Sequence, residues 1–182
     1  MIPVVLRSAR LVLDQLVAAD IPAVTQYCQD PLFERYLTTP WPYLPAHAEN
    51  FVEYHVPKGW ATGAELTWAV RSAGTFVGVI ALRAERDDVG FWLGAPHRGR
   101  GYMSEALAAV CSYAFTFGRD LVRWECVVGN TASAATARAA GFTYTGEGPG
   151  EVPSRDGSLP LSWHGILSAS DARDRKPGWP LP

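Results

Sequence analysis

Arg98-Gly99-Arg100-Gly101-Tyr102-Met103 separates an apolar run over residues 89–93 from a helical pattern over residues 104–117. A strand that ends in a glycine-containing loop and turns straight into a helix aims backbone N–H groups and the positive end of a helix dipole at one point, which makes an anion site. The ligand expected there carries phosphate. Upstream, Val89, Phe91 and Leu93 alternate with Gly90, Trp92 and Gly94 in a strand pattern. Residues 66–71 and 76–83 are β-rich and joined by Ser72-Ala73-Gly74-Thr75, a hairpin signal that puts all three strands in one sheet. Downstream of the loop, Met103, Leu107, Val110, Cys111 and Ala114 fall on one helical face. Residues 121–128 read as a strand, 131–140 as an alanine-rich helix stopped by Gly141, and 142–145 and 158–167 as closing strands. Toward the N-terminus the pattern predicts a strand over 10–16 and a helix over 18–29 with Asp20 near its start. The stiff loop Pro40-Trp41-Pro42-Tyr43-Leu44-Pro45 follows, then a helix over 46–56 that Pro57 and Gly59 end.

This order predicts an α+β (mixed α/β) sheet with helices on both faces. With 182 residues, 48% of them hydrophobic, the chain suits one domain, placed at residues 1–168, and a tail at 169–182 where Pro177, Pro180 and Pro182 lie among charges. A net charge of −2 supplies no general attraction for nucleic acid or an anionic membrane. No run approaches the roughly 20 apolar residues of a membrane span, and Met1-Ile2-Pro3 opens no signal segment, so the expected location is cytoplasmic. Cys28, Cys111 and Cys126 are far apart and without metal spacing, which predicts reduced, buried thiols and no metal; the four histidines are equally scattered.

Asn130-Thr131-Ala132-Ser133 follows the strand after the glycine loop, and Ala139-Ala140-Gly141-Phe142 closes the next helix, so two adjacent strand ends present polar groups side by side. A ligand with phosphate at one end and an extended amide arm would run between them. Arg98-Gly99-Arg100-Gly101 resembles the Arg/Gln-x-x-Gly-x-Gly/Ala signature of the GNAT N-acetyltransferases, and Asn130-x-x-Ser133 with Gly141-Phe142 resembles the second half of their cofactor region. Gly90-Phe91-Trp92-Leu93, Gly101-Tyr102-Met103-Ser104-Glu105-Ala106 and Thr39-Pro40-Trp41-Pro42 are similar to the ribosomal-protein-alanine N-acetyltransferase branch. Met103 stands where the broad signature has Gly or Ala, a position at which that branch often carries a larger residue. The resemblance spans residues 6–167. A Rossmann reading of Gly99-x-Gly101 fails, because Ser104 occupies the third glycine position and an antiparallel hairpin series precedes it.

The resemblance implies a mostly antiparallel, twisted central sheet of roughly six to seven strands with a splayed pair that holds CoA. It also implies acetyl-CoA as donor and a primary amine as acceptor, either a protein N-terminus or a small molecule such as an antibiotic, handled by a monomer or homodimer. The pyrophosphate would lie on the N–H groups of Arg98, Gly99, Arg100, Gly101, Tyr102 and Met103, with the Arg98 and Arg100 side chains adding charge. The pantetheine arm would pair like an extra strand with backbone near Trp92 and Leu93, and Asn130 would bind it from the other side.

Acetyl transfer asks for a neutral amine, stabilisation of the oxyanion and a proton for the leaving thiolate. A backbone N–H near Leu93 is the candidate oxyanion donor. Glu125, five residues before Asn130 where the ribosomal-protein group of this family can carry a glutamate, is the candidate base, directly or through water; a surface charge on a strand is its alternative. Family members often place a tyrosine acid seven residues after that asparagine, where this chain has Ala137. Ser133 is the substitute candidate to hydrogen-bond the sulfur, against an ordinary place in a first helical turn. Glu65, Glu147, Glu151 and His164 are further candidate bases. Tyr36 and Trp41, near Tyr43 and Phe51, are candidates to line the acceptor's entrance or simply to pack in the core. Two other function classes stay open: a non-catalytic acyl-CoA sensor, and a nucleic-acid or ribosome-binding module that the net charge and the lack of a basic helical face disfavour.

Overall fold

The computed structural model describes residues 2–181. The hairpin forms as its turn residues demand: β3 (Glu65–Ser72) and β4 (Thr75–Arg83) pair antiparallel around Ala73 and Gly74, whose φ angles are 47° and 79°. β5 (Asp88–Leu93) adds to β4, while β2 (Leu11–Asp14) and the two-residue β1 (Leu6–Arg7) extend the other side. Past β5 come β6 (Leu121–Val127), β8 (Leu161–Ser168) and β7 (Thr143–Pro149), giving the order β1-β2-β3-β4-β5-β6-β8-β7. Among the described residues β5 and β6 are the parallel neighbours and every other pair is antiparallel. The eighth strand, beyond those expected, is β1, too short to show a period. β7 runs past the expected end because Thr145 forms a bulge between Tyr144 and Gly146, which breaks the alternation that marks a strand in sequence.

α5 (Tyr102–Thr116) buries Met103, Leu107, Val110, Cys111 and Ala114, the stripe its spacing predicts, with Ala106 beside them, and α6 (Thr131–Ala139) follows β6. Trp68, in register with Ile80 and Phe91, meets Tyr113 of α5. The next register line, Ala69, Val79 and Trp92, faces the opposite way, and there Trp92 meets Phe33. Helices therefore cover both faces.

The expected helix over 18–29 is a 3-10 turn (Ala18–Asp20) and α1 (Ile21–Tyr27). A separate α2 (Pro31–Tyr36) follows, in which Asp30 accepts from the Leu32 N–H at 2.9 Å and Pro31 opens the helix, in a stretch to which the sequence pattern assigns no element. α3 (Pro45–Asn50) does not stop at Pro57 and Gly59 as expected. It widens into a π turn (Phe51–His55), where the Val56 N–H reaches back to the Phe51 carbonyl, and continues as α4 (Val56–Thr62), so Pro57 stands just past this widened turn inside a continuous helical stretch. A Cβ at Gly59 would lie 2.5 Å from the Glu65 carbonyl oxygen, so this glycine permits close packing of α4 on β3 instead of ending the helix. Gly63, with φ of 73°, ends it.

After β8 the chain has no further helix or strand among the described residues, yet it packs. Trp179 is buried against Trp124 and Tyr144, with ring centroids 5.4 and 5.6 Å away, and the backbone of Arg173 passes over Gly141. No helix among the described residues is long and apolar enough to cross a membrane.

Candidate active site

β5 and β6 pair at Asp88 with Arg123 and at Val89 with Trp124, and then part. The rest of β5 stays on β4 as far as Leu93, and the rest of β6 stays on β8. The wedge between them opens into a cleft of about 730 Å³, the size of a cofactor site. Trp92, Leu93, Arg98, Gly99, Gly101, Tyr102 and Met103 line it, together with Glu125, Asn130, Ser133 and Tyr36. Arg100 and Trp41 lie outside this lining: Arg100 is exposed and Trp41 packs against the core.

Gly99 and Gly101 both have φ of 74°, the left-handed region that an L side chain enters only with strain. A Cβ at Gly99 would meet nothing within 4 Å, and one at Gly101 would meet the Arg10 Nη2 at 3.4 Å, so the loop leaves room for a group to approach its backbone. Gly101 begins α5 without a side-chain cap, which leaves first-turn N–H groups for a ligand. Arg98 is turned inward: its Nε and Nη2 donate to the Leu93 carbonyl at 3.2 and 3.1 Å, and its Nη1 pairs with Asp30 at 2.7 Å. It braces the loop against β5 and the start of α2. Arg10, which no sequence motif marked, holds the other side, with Nε on Glu105 at 2.7 Å and Nη1 on the Arg100 carbonyl at 3.0 Å. Burial pushes the Glu105 carboxyl up, but the Ser8 hydroxyl and Arg10 outweigh this and hold it below the usual carboxylate range. The acid in the first turn of α5 is thus already paired and does not confront an incoming anion with a free charge. Burial, and then the charge of Arg100, lower His97, whose Nε2 lies 2.8 Å from the Tyr27 hydroxyl.

On the opposite wall Asn130 caps α6, its Oδ1 accepting from the Ser133 N–H at 3.2 Å. The Ser133 hydroxyl accepts from the Trp124 indole at 3.1 Å and sits beside the Cys126 thiol, which burial pushes up to about 12. Glu125 points away from that face. Its Oε2 accepts from the Glu151 N–H at 2.8 Å, its Oε1 from the Val152 N–H at 3.0 Å, and His164 Nδ1 lies 3.8 Å away. Glu125 therefore ties down the start of the β7–β8 connection as well as lining the cleft. A second cavity of about 50 Å³ lies behind it, between Asp88, Arg123, Glu151 and His164. Of the other candidate bases, Glu65 is occupied with His55 at 3.3 Å and Glu147 accepts from the Trp163 indole at 3.2 Å. Tyr36 donates to the Gly129 carbonyl at 3.1 Å. Among the described residues no cluster of three or more His, Cys, Asp or Glu side chains converges to hold a metal.

Residues 10–143 match the family model described as "Acetyltransferase (GNAT) domain". No curated protein sequence matches the chain. Among solved structures, the fold is similar to an acetyltransferase from Salmonella typhimurium that modifies the N-terminal serine of a 50S ribosomal subunit protein, with a TM-score of 0.78 at 20% identity over 92% of this chain and 100% of that one. RimJ of Mycobacterium smegmatis, in complex with a CoA disulfide, aligns with a TM-score of 0.79 at 17% identity over 92% and 88% of the two chains. The microcin C7 self-immunity acetyltransferase, in complex with acetyl-CoA and AMP, aligns with a TM-score of 0.75 at 17% identity over 88% and 93%.

Proposed function

The chain belongs to the GNAT acetyltransferase family, whose chemistry is acetyl transfer from acetyl-CoA, and we propose that in this member the acceptor is a primary amine, with a protein N-terminus favoured over a small molecule. The observation that carries this reading is the β5–β6 wedge, which leads from a glycine loop at a helix N-terminus to a carboxylate and a hydroxyl on the opposite strand and helix. Acetyl-CoA, when bound, supplies the activated thioester. The backbone of residues 98–103 receives its pyrophosphate, with Arg98 holding the loop in shape and Arg100 offering an exposed charge. The edge of β5 that opens beyond Val89, up to Leu93, pairs with the amide arm, while the Trp92 backbone stays on β4; Asn130 meets that arm from α6. The Leu93 N–H donates to the thioester oxygen as charge develops there. Glu125 takes the proton of the amine, directly or through one water, and the Ser133 hydroxyl, whose acceptor side is already used by Trp124, donates toward the departing sulfur. The Salmonella enzyme that shares the fold and modifies an N-terminal serine supports a protein N-terminus as acceptor.

The test is an acceptor screen with acetyl-CoA, following release of free CoA thiol, over peptides beginning with alanine or serine, polyamines and aminoglycosides. Thiol release that depends on an added amine is the expected result. Tight acetyl-CoA binding with no turnover on any amine overturns the reading and leaves an acyl-CoA sensor.

A further inference from the structure

The wedge divides the sheet into a β1–β5 half and a β6-β8-β7 half, and beyond their short shared ladder the two halves are bridged by side chains. α2 belongs to the first half, with Phe33 packed on Trp92 at 5.5 Å. The connection over residues 150–160 belongs to the second. Arg155 joins them: its Nη2 donates to the Phe33 and Leu37 carbonyls at 2.8 Å each, its Nη1 to Glu34 at 2.7 Å and its Nε to Thr39 at 2.6 Å. The Phe33 carbonyl also accepts from the Leu37 N–H at 3.0 Å, the Glu34 carbonyl lies in the last turn of α2, and Leu37 and Thr39 follow it; a helix C-terminus favours a positive charge, so one planar guanidinium serves four acceptors at once. Tyr36 makes a second pin, from α2 to Gly129 at the turn before α6. Glu125 holds the base of the connection through the N–H groups of residues 151 and 152. Both α2 and the connection line the cleft, so this latch covers it where Glu125 stands.

We propose that Arg155 is a specificity-determining residue: by latching the 150–160 connection to α2 it fixes the width through which an acceptor reaches Glu125, admitting amines on slender chains and excluding those with bulk beside the amine. The proposal rests on the acetyl-transfer reading above. Arg155 acts through the two backbones it joins and touches no reacting atom. Its four bonds reach 116 to 122 residues back along the chain, so nothing local replaces them when the guanidinium is removed.

The experiment compares two peptides identical except for the first residue, glycine or phenylalanine. In the parent enzyme kcat/KM favours the glycine peptide. Arg155→Ala lowers that preference about tenfold or more, chiefly by lowering KM for the phenylalanine peptide, while acetyl-CoA affinity stays within about threefold by calorimetry. Arg155→Lys falls between, because an ammonium cannot fork over four carbonyls. A purely structural loss would depress both peptides together and leave the ratio alone. A ratio in Arg155→Ala within about twofold of the parent overturns the proposal, as does a parent enzyme that takes both peptides equally. If Arg155→Ala does not fold, the ratio in Arg155→Lys decides by the same criterion. A parent enzyme that binds acetyl-CoA but acetylates neither peptide nor any amine of the wider screen overturns the acetyl-transfer reading and this proposal with it; turnover with an unmoved ratio overturns this proposal alone.

Discussion

Glu125→Gln separates the structural job that this side chain does from the base role proposed for it. The carboxylate is 13% exposed and accepts two backbone N–H groups, one on each oxygen. A glutamine keeps one acceptor oxygen and turns an NH₂ group toward the other N–H, so one charge-assisted bond is lost and two donors face each other. Such a bond contributes about 1.5–3 kcal/mol, and we take about 2 kcal/mol for this part-buried pair. That corresponds to a rise of about 30-fold in the open population of the connection at residues 151 and 152, and to a fall of about 4–8 °C in Tm if opening there is part of global unfolding. Amide hydrogen exchange at Glu151 and Val152 reads the first quantity, and a thermal melt the second. Amides that exchange no faster than in the parent, in a variant with the same Tm, would refute the hydrogen-bond argument. The same variant tests the base: turnover should fall about 10²-fold or more with acetyl-CoA affinity unchanged, and near-normal turnover moves the proton to water or to another carboxylate.

Gly101→Val forces a β-branched residue into a left-handed conformation, and the loop should relax away from the anion geometry, weakening acetyl-CoA binding about tenfold or more with a cooperative melt retained; unchanged affinity in a folded variant removes the phosphate assignment. Ser133→Ala leaves the buried Trp124 indole without its acceptor and should cost about 1–3 kcal/mol in stability. If the hydroxyl also protonates the sulfur, the single-turnover rate falls more than acetyl-CoA affinity, and a stability loss alone assigns that proton to solvent. Trp179→Ala should cost about 3 kcal/mol in a denaturant titration, as expected for a large buried aromatic, whereas a change near zero would mean that the C-terminal segment seals nothing. The His55–Glu65 pair sets a pH window. The hydrogen bond to Glu65 raises His55 against the opposing effect of burial, so its contribution is complete below the unfolded histidine value and is lost as pH rises through the raised one. Burial pushes Glu65 up, but the hydrogen bond and charge of His55 reverse this, so its contribution is present above the unfolded carboxylate value and is lost as pH falls through the lowered one. The Tm difference between the parent and His55→Ala should therefore shrink as pH is raised from about 6 to about 9, and a constant difference contradicts the coupling.

The features legible in the sequence are those whose cause is local. Gly99 and Gly101 are required by two positive φ angles in immediate succession to a helix start, and the hairpin by Ala73-Gly74 between two β-rich runs. Asn130 caps α6 through the Ser133 N–H three residues on, another local cause. α2 escaped because six residues are too few to show a helical period, although Asp30-Pro31 carried its start signal. Pro57 misled because a proline's effect depends on the turn before it, and the π turn is a tertiary outcome. The braces of the site were invisible for a different reason: Arg10 finds Glu105 across 95 residues and Arg155 finds Thr39 across 116, and a charge in a sequence carries no mark of its distant partner. Glu125 is marked by the family resemblance, five residues before Asn130, but nothing marks the two N–H groups that converge on it from the β7–β8 connection.

The strand order also sets a timetable for synthesis. Among the described residues β8 is the last strand to be made, yet it lies between β6 and β7 and is the partner that β7 pairs with. Until it leaves the ribosome, β6 holds the growing sheet through two residue pairs with β5, β7 has no ladder, and Trp124 and Tyr144 wait for Trp179. A nascent chain stalled before Leu161 therefore displays bare strand edges and uncovered aromatic rings, the surface that chaperones hold and aggregates grow from. The second wall of the cleft is complete only once residues 161–168 have emerged and joined β6.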